Sequence, residues 1–471
     1  MGRLSARLSN FDPLRFMNDS FPNTHAMRLV GRFFGVILLG VFLPHQSFAE
    51  ISGVEISQIG GALVGERPRV LVSTDIGGTD PDDFQSMVHL LVYSDLMDIE
   101  GLVSSPYGGG RVEDILDVID CYEKDYPNLR TYSDNYPDPQ ELRAVTKQGE
   151  IARAPYSGVR ASTEGSEWIV SCARREDSRP LHVLIWGGIE DLAQALSDAP
   201  DILPQLRVYY IGGPNKKWGP DAYQYLVEHH PLLWIIESNA TYRGWFTGGE
   251  QEGGWENKRF VQRYVRGRGA LGDFFVQKKD DIKMGDTPSV GWLLNGVAED
   301  PSQPGWGGRY VRAWERPYLR LDRMPTSEDQ IEIFGVLELV LDVKKHSAPK
   351  REALLVVENQ RLPGFWSSDG TVRFRFSPKA ARRFRFRIEA KDPELNGKSG
   401  AISVTLPEAS RTDQAALGTP HWWTDDPSPQ YSEQGHHGAK TVNRWRKEFL
   451  ADFAARLERC REPQRGETAD D

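Results

Sequence analysis

Residues 69–83, RVLVSTDIGGTDPDD, lead from an apolar run into a turn that carries four aspartates. The run Val70–Thr74 shows no polar alternation, which is typical of a strand buried on both faces. The aspartates are Asp75, Asp80, Asp82 and Asp83, and residues 70–110 contain no lysine or arginine. The stretch therefore predicts a buried strand with an acidic site at its carboxyl end.

Similar apolar runs recur up to about residue 312, and helical periodicity follows several of them. They are Ile99–Ser105, His182–Trp186, Arg207–Ile211 and Leu232–Glu237. This alternation predicts an α/β fold whose mainly parallel sheet carries helices on both faces. Ligands of such sheets bind at the carboxyl ends of the strands, where Asp75 stands.

The pattern changes to period two in residues 327–406, as in TVRFRFSP and RRFRFRIEA. About five strands of this kind predict a small antiparallel β-sandwich domain. We therefore expect an α/β domain at 66–320, the sandwich at 327–406, and a segment with one helix at 420–460 that packs back on the α/β domain. Residues 461–471 are polar and are predicted to be a disordered tail.

Residues 1–49 are interpreted as an upstream extension followed by a secretory signal peptide. Arg28 and Arg32 precede the apolar run Phe33–Leu43, and small residues suited to cleavage lie near Ala49. The run is short for a membrane span, although a single uncleaved anchor is the alternative. We expect a periplasmic or secreted chain that begins near Glu50 and keeps no stable membrane anchor.

The composition excludes some partners. A net charge of -10 over 471 residues argues against a nucleic-acid-binding protein. Three cysteines, Cys121, Cys172 and Cys460, are too few for a disulfide scaffold, although one bridge is left open. Whether the chain forms a homo-oligomer is also left open.

Two interpretations of the acidic turn carry equal weight on the residues alone. In the first, Asp80 caps a helix whose first position is Pro81, and Asp82 and Asp83 complement the helix dipole. In the second, the carboxylates converge on a hard, oxygen-seeking cation such as calcium. Capping does not explain Asp75, which would be repelled by the helix start unless a cation lies between them.

The segment DIGGTDPDD (75–83) resembles the Asp-x-Gly-x-Asp-Asp signature of the nucleoside hydrolases, lengthened by three residues. Three later segments match that family in order: LHVLIWGGIEDLAQAL (181–196), RVYYIGGP (207–214) and KMGDTPSVGWLLNG (283–296). More closely, the chain is similar to a secreted nucleoside hydrolase-like family of unknown function that is often labelled cellulose-binding. ESNATYRGWF (237–246), DPSQPGWGGRY (300–310) and WRKEFLADFAAR (445–456) carry that likeness.

The resemblance implies a calcium ion and names its ligands. These would be Asp75, Asp83, the carbonyl of Trp186, and Asp286. Asp75 would also be the general base for the attacking water, and Asp82 would hydrogen-bond a sugar hydroxyl. On this interpretation the crowded negative charge serves to hold a metal.

The chain departs from the nucleoside hydrolase pattern in the half of the site that binds the nucleoside. Gly285 stands where those enzymes often place a histidine, so that route for protonating the leaving base is absent. SSPYGGG (104–110) lacks their ribose-binding asparagine, and WGPDAYQYL (218–226) lacks their Glu-x-Asn pair. The leaving group is therefore not identified by the resemblance.

Further candidate contacts lie on the expected site face. Glu237 and Asn239 end a predicted strand and are candidates for binding substrate. Trp245, Trp255, Trp306 and Tyr310 lie in glycine-rich loops, where they stack on sugar rings or simply pack over the sheet. The histidine pairs at 229–230 and 436–437 receive no role.

Two functions follow from these observations. The first is an exported, calcium-dependent glycoside hydrolase of the N-ribosyl type, acting on a small molecule or an oligosaccharide. The alternative is a non-catalytic protein that binds cellulose or another polysaccharide on the same fold. Asp75 favours the hydrolase, because a binding protein has little need of a base at that position. The missing histidine and asparagine favour the alternative or a changed substrate.

Overall fold

The computed structural model describes residues 66–462, apart from Thr79, Pro106 and residues 344–351. The predicted extension and signal peptide lie outside these residues, as does the predicted tail beyond Glu462. Within the described part of the chain, no helix is both long enough and apolar enough to cross a membrane.

The described residues form one large sheet, two smaller sheets and the helices that cover the large one. The strands are β1 (Arg69–Thr74), β2 (Asp98–Ser104), β3 (Thr146–Gln148), β4 (Leu181–Ile185), β5 (Leu206–Ile211), β6 (Ile235–Ser238), β7 (Tyr310–Arg312), β8 (Tyr318–Leu321), β9 (Gln330–Glu332), β10 (Val336–Asp342), β11 (Ala353–Val357), β12 (Gln360–Pro363), β13 (Phe365–Trp366), β14 (Thr371–Phe376), β15 (Arg383–Ala390), β16 (Ser399–Thr405) and β17 (Trp422–Asp425). The α-helices are α1 (Asp82–Val92), α2 (Val112–Leu129), α3 (Pro139–Ala144), α4 (Glu164–Ala173), α5 (Glu190–Asp198), α6 (Pro220–His229), α7 (Asn257–Phe260), α8 (Gly269–Lys278), α9 (Thr287–Leu294), α10 (Ala439–Asn443) and α11 (Arg446–Glu458).

The large sheet has eight strands in the order β3-β2-β1-β4-β5-β6-β17-β7. All neighbouring pairs in it are parallel except β17 and β7. Along β1, Val70 and Val72 join one apolar core, and Leu71 joins a second core on the opposite face. This burial on both faces confirms the predicted α/β class and explains why β1 shows no polar alternation.

Residues 318–405 form two sheets that face each other across a third apolar core. Their orders are β13-β14-β10-β8 and β12-β11-β15-β16-β9. The period-two pattern is confirmed in β15, where Phe384, Phe386 and Ile388 point into that core. About five strands were expected here, which is too few. The structure adds four short edge strands of two to four residues each, namely β8, β9, β12 and β13. Two neighbouring pairs, β8–β10 and β9–β16, are parallel.

The segment after the sandwich returns to the large sheet. Strand β17 lies between β6 and β7, with Trp422 fully buried. The single helix predicted there is in fact two, α10 and α11. Asn443 ends α10 and donates to the carbonyl of Thr247 at 3.0 Å, and Arg446 begins α11 and donates to the carbonyl of Trp245 at 2.9 Å. These contacts with a distant loop are invisible in the apolar periodicity.

The aromatic residues of the glycine-rich loops belong to the core. Trp245, Trp306 and Tyr310 are buried, and Trp255 is partly buried against the same core. The ring of Trp245 stacks on Phe449 of α11 with 3.8 Å between centroids. Packing, rather than stacking on a sugar, accounts for these side chains. The three cysteines form no bridge.

We expect Phe449→Ala to lower the free energy of unfolding by about 3–5 kcal/mol, because it removes a fully buried ring from the core. Equilibrium denaturation by urea measures the loss. Leu417→Ala is the control, since Leu417 is 97% exposed and its truncation should change stability by less than about 0.5 kcal/mol. Equal effects of the two substitutions would contradict the placement of α11.

Candidate metal and catalytic site

Three aspartates meet at the carboxyl edge of the large sheet. Asp82 and Asp83 begin α1, and Asp286 immediately precedes α9. One carboxylate oxygen from each lies within 4.8 Å of the others. Asp83 and Asp286 are buried, whereas Asp82 is partly exposed. We call these three residues the aspartate cluster.

Hydrogen bonds from β1 and α9 orient the cluster. The hydroxyl of Thr74, the last residue of β1, donates to Asp83. The hydroxyl of Ser289 donates to the backbone carbonyl of Asp286 at 2.7 Å and accepts from the indole of Trp186 at 2.7 Å. Asp286 Oδ2 itself is buried and, among the described residues, has no hydrogen-bond partner.

Gln85, a fully buried residue of α1, fixes the loop that delivers Asp286. Its amide donates to the carbonyls of Lys279 at 3.1 Å and Asp281 at 3.0 Å. Its oxygen accepts from the backbone amides of Lys283 at 2.8 Å and Met284 at 3.2 Å. All four hydrogen bonds available to the side chain are therefore made to one loop.

The same loop holds Met284 in a strained conformation. Its φ of 32° is in the left-handed region, which is uncommon for a residue other than glycine. Met284 is also fully buried. Packing and the bonds to Gln85 thus hold the backbone in an unfavourable conformation two residues before Asp286.

Asp75 lies beside the aspartate cluster, just after β1. Its carboxyl shares a hydrogen bond with that of Asp83. A Cβ at Gly187, after β4, would lie 2.6 Å from Asp75 Cγ, so only glycine leaves room for this side chain. The backbone amide of Trp186 donates to the carbonyl of Ser73 at 2.7 Å, which brings the end of β4 next to the end of β1.

Burial raises the pKa of each of these carboxyls, although Lys283 opposes the shift at Asp82 and Asp286. Burial raises the pKa of Asp75 to about 6, although its bond to Asp83 opposes the shift, and raises that of Asp82 to about 7. Burial, with repulsion from neighbouring aspartates, holds the pKa values of Asp83 and Asp286 well above their usual range. The four groups strongly disfavour being ionised together.

The capping interpretation of the acidic turn is wrong for Asp80. Helix α1 begins at Asp82, with Pro81 in the preceding position, and no side chain caps it. Asp80 is exposed and pairs instead with Lys283 at 3.1 Å. The outer aspartate of the turn is thus paired with a basic residue that lies about 200 positions away in the sequence.

Glu237 and Asn239 do not belong to the aspartate cluster. Glu237 is completely buried and binds Lys216, Tyr223 and Arg316, and it also accepts from Asn239 at 2.8 Å. These contacts leave Glu237 no acceptor capacity for a substrate. The sequence did not reveal them, because Lys216 and Arg316 lie on other elements of the chain.

Gly285 lies against the cluster. A Cβ on residue 285 would overlap a carboxylate oxygen of Asp82. In this structure Asp82 therefore occupies the space that a side chain at position 285 would enter.

Comparison with known proteins identifies the family. The sequence profile of the family described as "Cellulose-binding Sde182, nucleoside hydrolase-like domain" matches residues 69–310, which is more than half of the chain. The chain belongs to this family. No curated protein matches the chain significantly.

Solved structures similar to this chain include nucleoside hydrolases and a nucleoside hydrolase-related protein. A nucleoside hydrolase-related protein from Saccharophagus degradans, associated with carbohydrate metabolism, is 18% identical, covers 73% of this chain and 100% of its own, and has a TM-score of 0.46. An inosine-uridine preferring nucleoside hydrolase from Bacillus anthracis is 13% identical (75% and 99% coverage, TM-score 0.33). A purine-preferring ribonucleoside hydrolase from Gardnerella vaginalis is 11% identical (83% and 99% coverage, TM-score 0.39). Identities this low carry no information about activity or ligand.

The residues present fit a hard divalent cation. The donors are carboxylate oxygens, which calcium prefers, and one of them, Asp286 Oδ2, is buried without a partner among the described residues. A cation would also relieve the repulsion that raises the pKa values of the cluster. Residues Gln85, Thr74 and Ser289, which hold the donors in place, were missed in the sequence because a buried polar side chain has no periodic signature.

Calcium should stabilise the protein more at about pH 8 than at about pH 5. A carboxyl whose pKa is raised on folding retains protons that the unfolded chain has released, so without metal its contribution to stability falls as pH rises from about 4 to about 7. Calcium must displace those protons and therefore binds better at high pH. Thermal unfolding with calcium or chelator at both pH values measures the two shifts in Tm. A shift that does not grow with pH would contradict a metal at the cluster.

Gln85→Ala should weaken calcium binding about tenfold, because the loop before Asp286 loses its four hydrogen bonds while every proposed ligand remains. Calorimetric titration with calcium measures the affinity. The control is Gln140→Ala, since Gln140 is exposed on α3 and remote in sequence from the loop. Unchanged affinity in Gln85→Ala would show that the loop is fixed by packing alone.

Proposed function

We propose that the chain is an exported, calcium-dependent glycoside hydrolase of the N-ribosyl type. The observation that carries the proposal is the aspartate cluster, with its unpartnered Asp286 oxygen, beside Asp75 at the end of β1. Carboxylates packed this closely in a buried site are costly for the fold unless they bind something positive. Membership of a nucleoside hydrolase-like family supports the reaction class.

Each residue then has a role. Asp75, Asp83, Asp286 and the carbonyl of Trp186 would hold the ion, and a calcium ion in this place lowers the pKa of a water and orients it. Asp82 is the partly exposed member of the cluster, so its carboxylate is open to a sugar hydroxyl.

Asp75 acts as the base. It accepts a proton from water while the water oxygen bonds to the anomeric carbon and the glycosidic bond breaks with its electron pair going to the leaving group. The leaving group draws its proton from elsewhere than residue 285, which is glycine.

The limits of the domains and the location of the protein are part of this proposal. We keep the predicted limits of 66–320 for the α/β domain, 327–406 for the sandwich and 420–460 for the returning segment, except that β8 (Tyr318–Leu321) pairs with β10 and joins the sandwich. The returning segment belongs with the α/β domain, since β17 and α11 pack with the large sheet. A periplasmic or secreted location follows from the predicted signal peptide and suits a family described as cellulose-binding.

A non-catalytic carbohydrate-binding protein is the second candidate. The observation that favours it is the carboxylate of Asp82 in the space of a side chain at position 285, which removes one means of protonating a leaving group. In that case calcium and Asp82 would hold sugar hydroxyls without cleaving a bond.

Sugar release by the mature chain separates the two candidates. The panel spans nucleosides, aryl ribosides and cell-wall oligosaccharides, each with calcium or with chelator. We expect calcium-dependent release that Asp75→Asn reduces by at least about a hundredfold, because the variant cannot accept the proton. Equal rates in variant and parent would remove Asp75 as the base.

Metal content provides the independent control. Asp83→Ala should lose stoichiometric calcium, whereas Asp75→Asn should retain most of it because three ligands remain. If no compound of the panel releases sugar while the parent still binds calcium, the result would favour the sugar-binding protein.

A further inference from the structure

A cavity lies between the large sheet and the sandwich. Its volume is about 280 Å³, and its floor is formed by Glu237, Asn239 and Asp425 at the carboxyl ends of β6 and β17. Much of its wall is apolar and comes from Trp314, Pro317, Ile333 and Phe334. No member of the aspartate cluster lines it. The cavity approaches the size of a small-molecule site.

Every carboxylate that lines this cavity is already engaged. Glu237 binds Lys216, Tyr223, Arg316 and Asn239. Asp425 accepts from the backbone amides of Asn239, Ala240 and Thr241 at 2.8–3.2 Å. Glu332 accepts from the indole of Trp314 at 3.0 Å and pairs with Arg411. The carboxylates of the cavity thus have little capacity left for a ligand, and the free acceptor is the neutral amide oxygen of Asn239, which is buried without a partner among the described residues.

Donors, in contrast, are left over. Arg316 is 9% exposed, and its Nη2 is buried without a hydrogen-bond partner among the described residues. Its other guanidinium nitrogens bind the carbonyl of Trp314 at 3.0 Å and Glu237 at 3.4 Å. Arg243 and Lys379 also line the cavity, and in the described part of the chain neither forms an ion pair. The unmatched Nη2 of Arg316 is unfavourable because it is buried, so an acceptor-rich ligand would stabilise it, with the half-buried Arg243 and the exposed Lys379 adding positive charge.

We propose that this cavity binds a small carboxylate-bearing ligand, either a free organic acid or a uronic acid sugar. A carboxylate matches the fork geometry of an arginine guanidinium and the charge of Lys379. The apolar wall would contact the body of the ligand. A neutral sugar of the same size would leave Arg243 and Lys379 without a counter-charge and the Nη2 of Arg316 without an acceptor, so charge is the basis of selection.

The site is independent of the proposed hydrolase activity. It uses Arg243, Arg316 and Lys379, none of which belongs to the aspartate cluster or its supports. It also gives a role to the conspicuous segment ESNATYRGWF, whose Arg243 lines the cavity, and to His436 and His437, which line it as well.

Calorimetric titration of the mature full-length chain tests the proposal. The probes are galacturonate and glucuronate, their neutral counterparts galactose and glucose, and succinate as a free organic acid. We expect at least one acid to bind with one site per chain and at least about tenfold more tightly than the neutral sugars. Tighter binding of the uronates than of succinate identifies a sugar acid, and the reverse identifies a free organic acid. Binding of none of the acids, or equal binding of galactose and galacturonate, overturns the proposal.

Variants locate the binding. Lys379→Ala and Arg243→Gln should each weaken the acid at least about tenfold, since each removes a charged donor from the cavity. The matched control is Lys398→Ala, because Lys398 is an exposed lysine of the sandwich that does not line the cavity. Unchanged affinity in both test variants, or an equal loss in the control, overturns the assignment. Asp83→Ala should retain acid binding while losing calcium, which separates this site from the hydrolase proposal.

Discussion

Repulsion between buried carboxylates is the constraint on which the structure at the carboxyl edge of the large sheet depends. Asp82, Asp83 and Asp286 lie within 4.8 Å of one another, and Asp75 adds a fourth carboxyl beside them. Such groups separate unless the surrounding structure prevents it. Here it does, through Thr74 at the end of β1, Gln85 inside α1 and Ser289 inside α9. The strained backbone of Met284 is a local sign of that restraint.

Glu237, at the end of another strand of the same sheet, shows how the aspartate cluster differs from a buried carboxylate with ionic partners. Glu237 is equally inaccessible to water, but Lys216 and Arg316 reach it from other elements. Its charge is therefore balanced by the protein itself. The aspartate cluster forms no such ion pair within the described part of the chain; Lys283 pairs with the outer Asp80 and only partly opposes the rise in the pKa values of Asp82 and Asp286. The protein thus balances the charge of Glu237 itself and leaves the charge of the aspartate cluster largely unbalanced.

The sequence predicted the α/β class, the edge of the sheet that carries the acids, and the family. Buried parallel strands are visible as continuous apolar runs, and the lengthened aspartate signature indicates both the acidic edge and the family. It predicted the sandwich from the alternation in β15 but not its edge strands, which are too short to show a period. It could not show that Lys216 and Arg316 engage Glu237, because these ionic partners are remote in sequence. Gln85 and Ser289 went unnoticed for the same reason, since their importance comes from loops that only the folded chain brings near.

The position of β17 has a consequence for how the chain acquires its shape during synthesis. The chain completes β6 by residue 238, yet the strand that covers the open edge of β6 begins only at Trp422. Strand β7, made in between, pairs with β17 alone in this sheet. Until the last fifty or so residues emerge, the growing chain exposes an unpaired strand edge, which is a template for association with other chains. Closing that edge is a long-range and therefore slow event, so a chaperone that shields it until the C-terminus arrives would raise the yield of native protein.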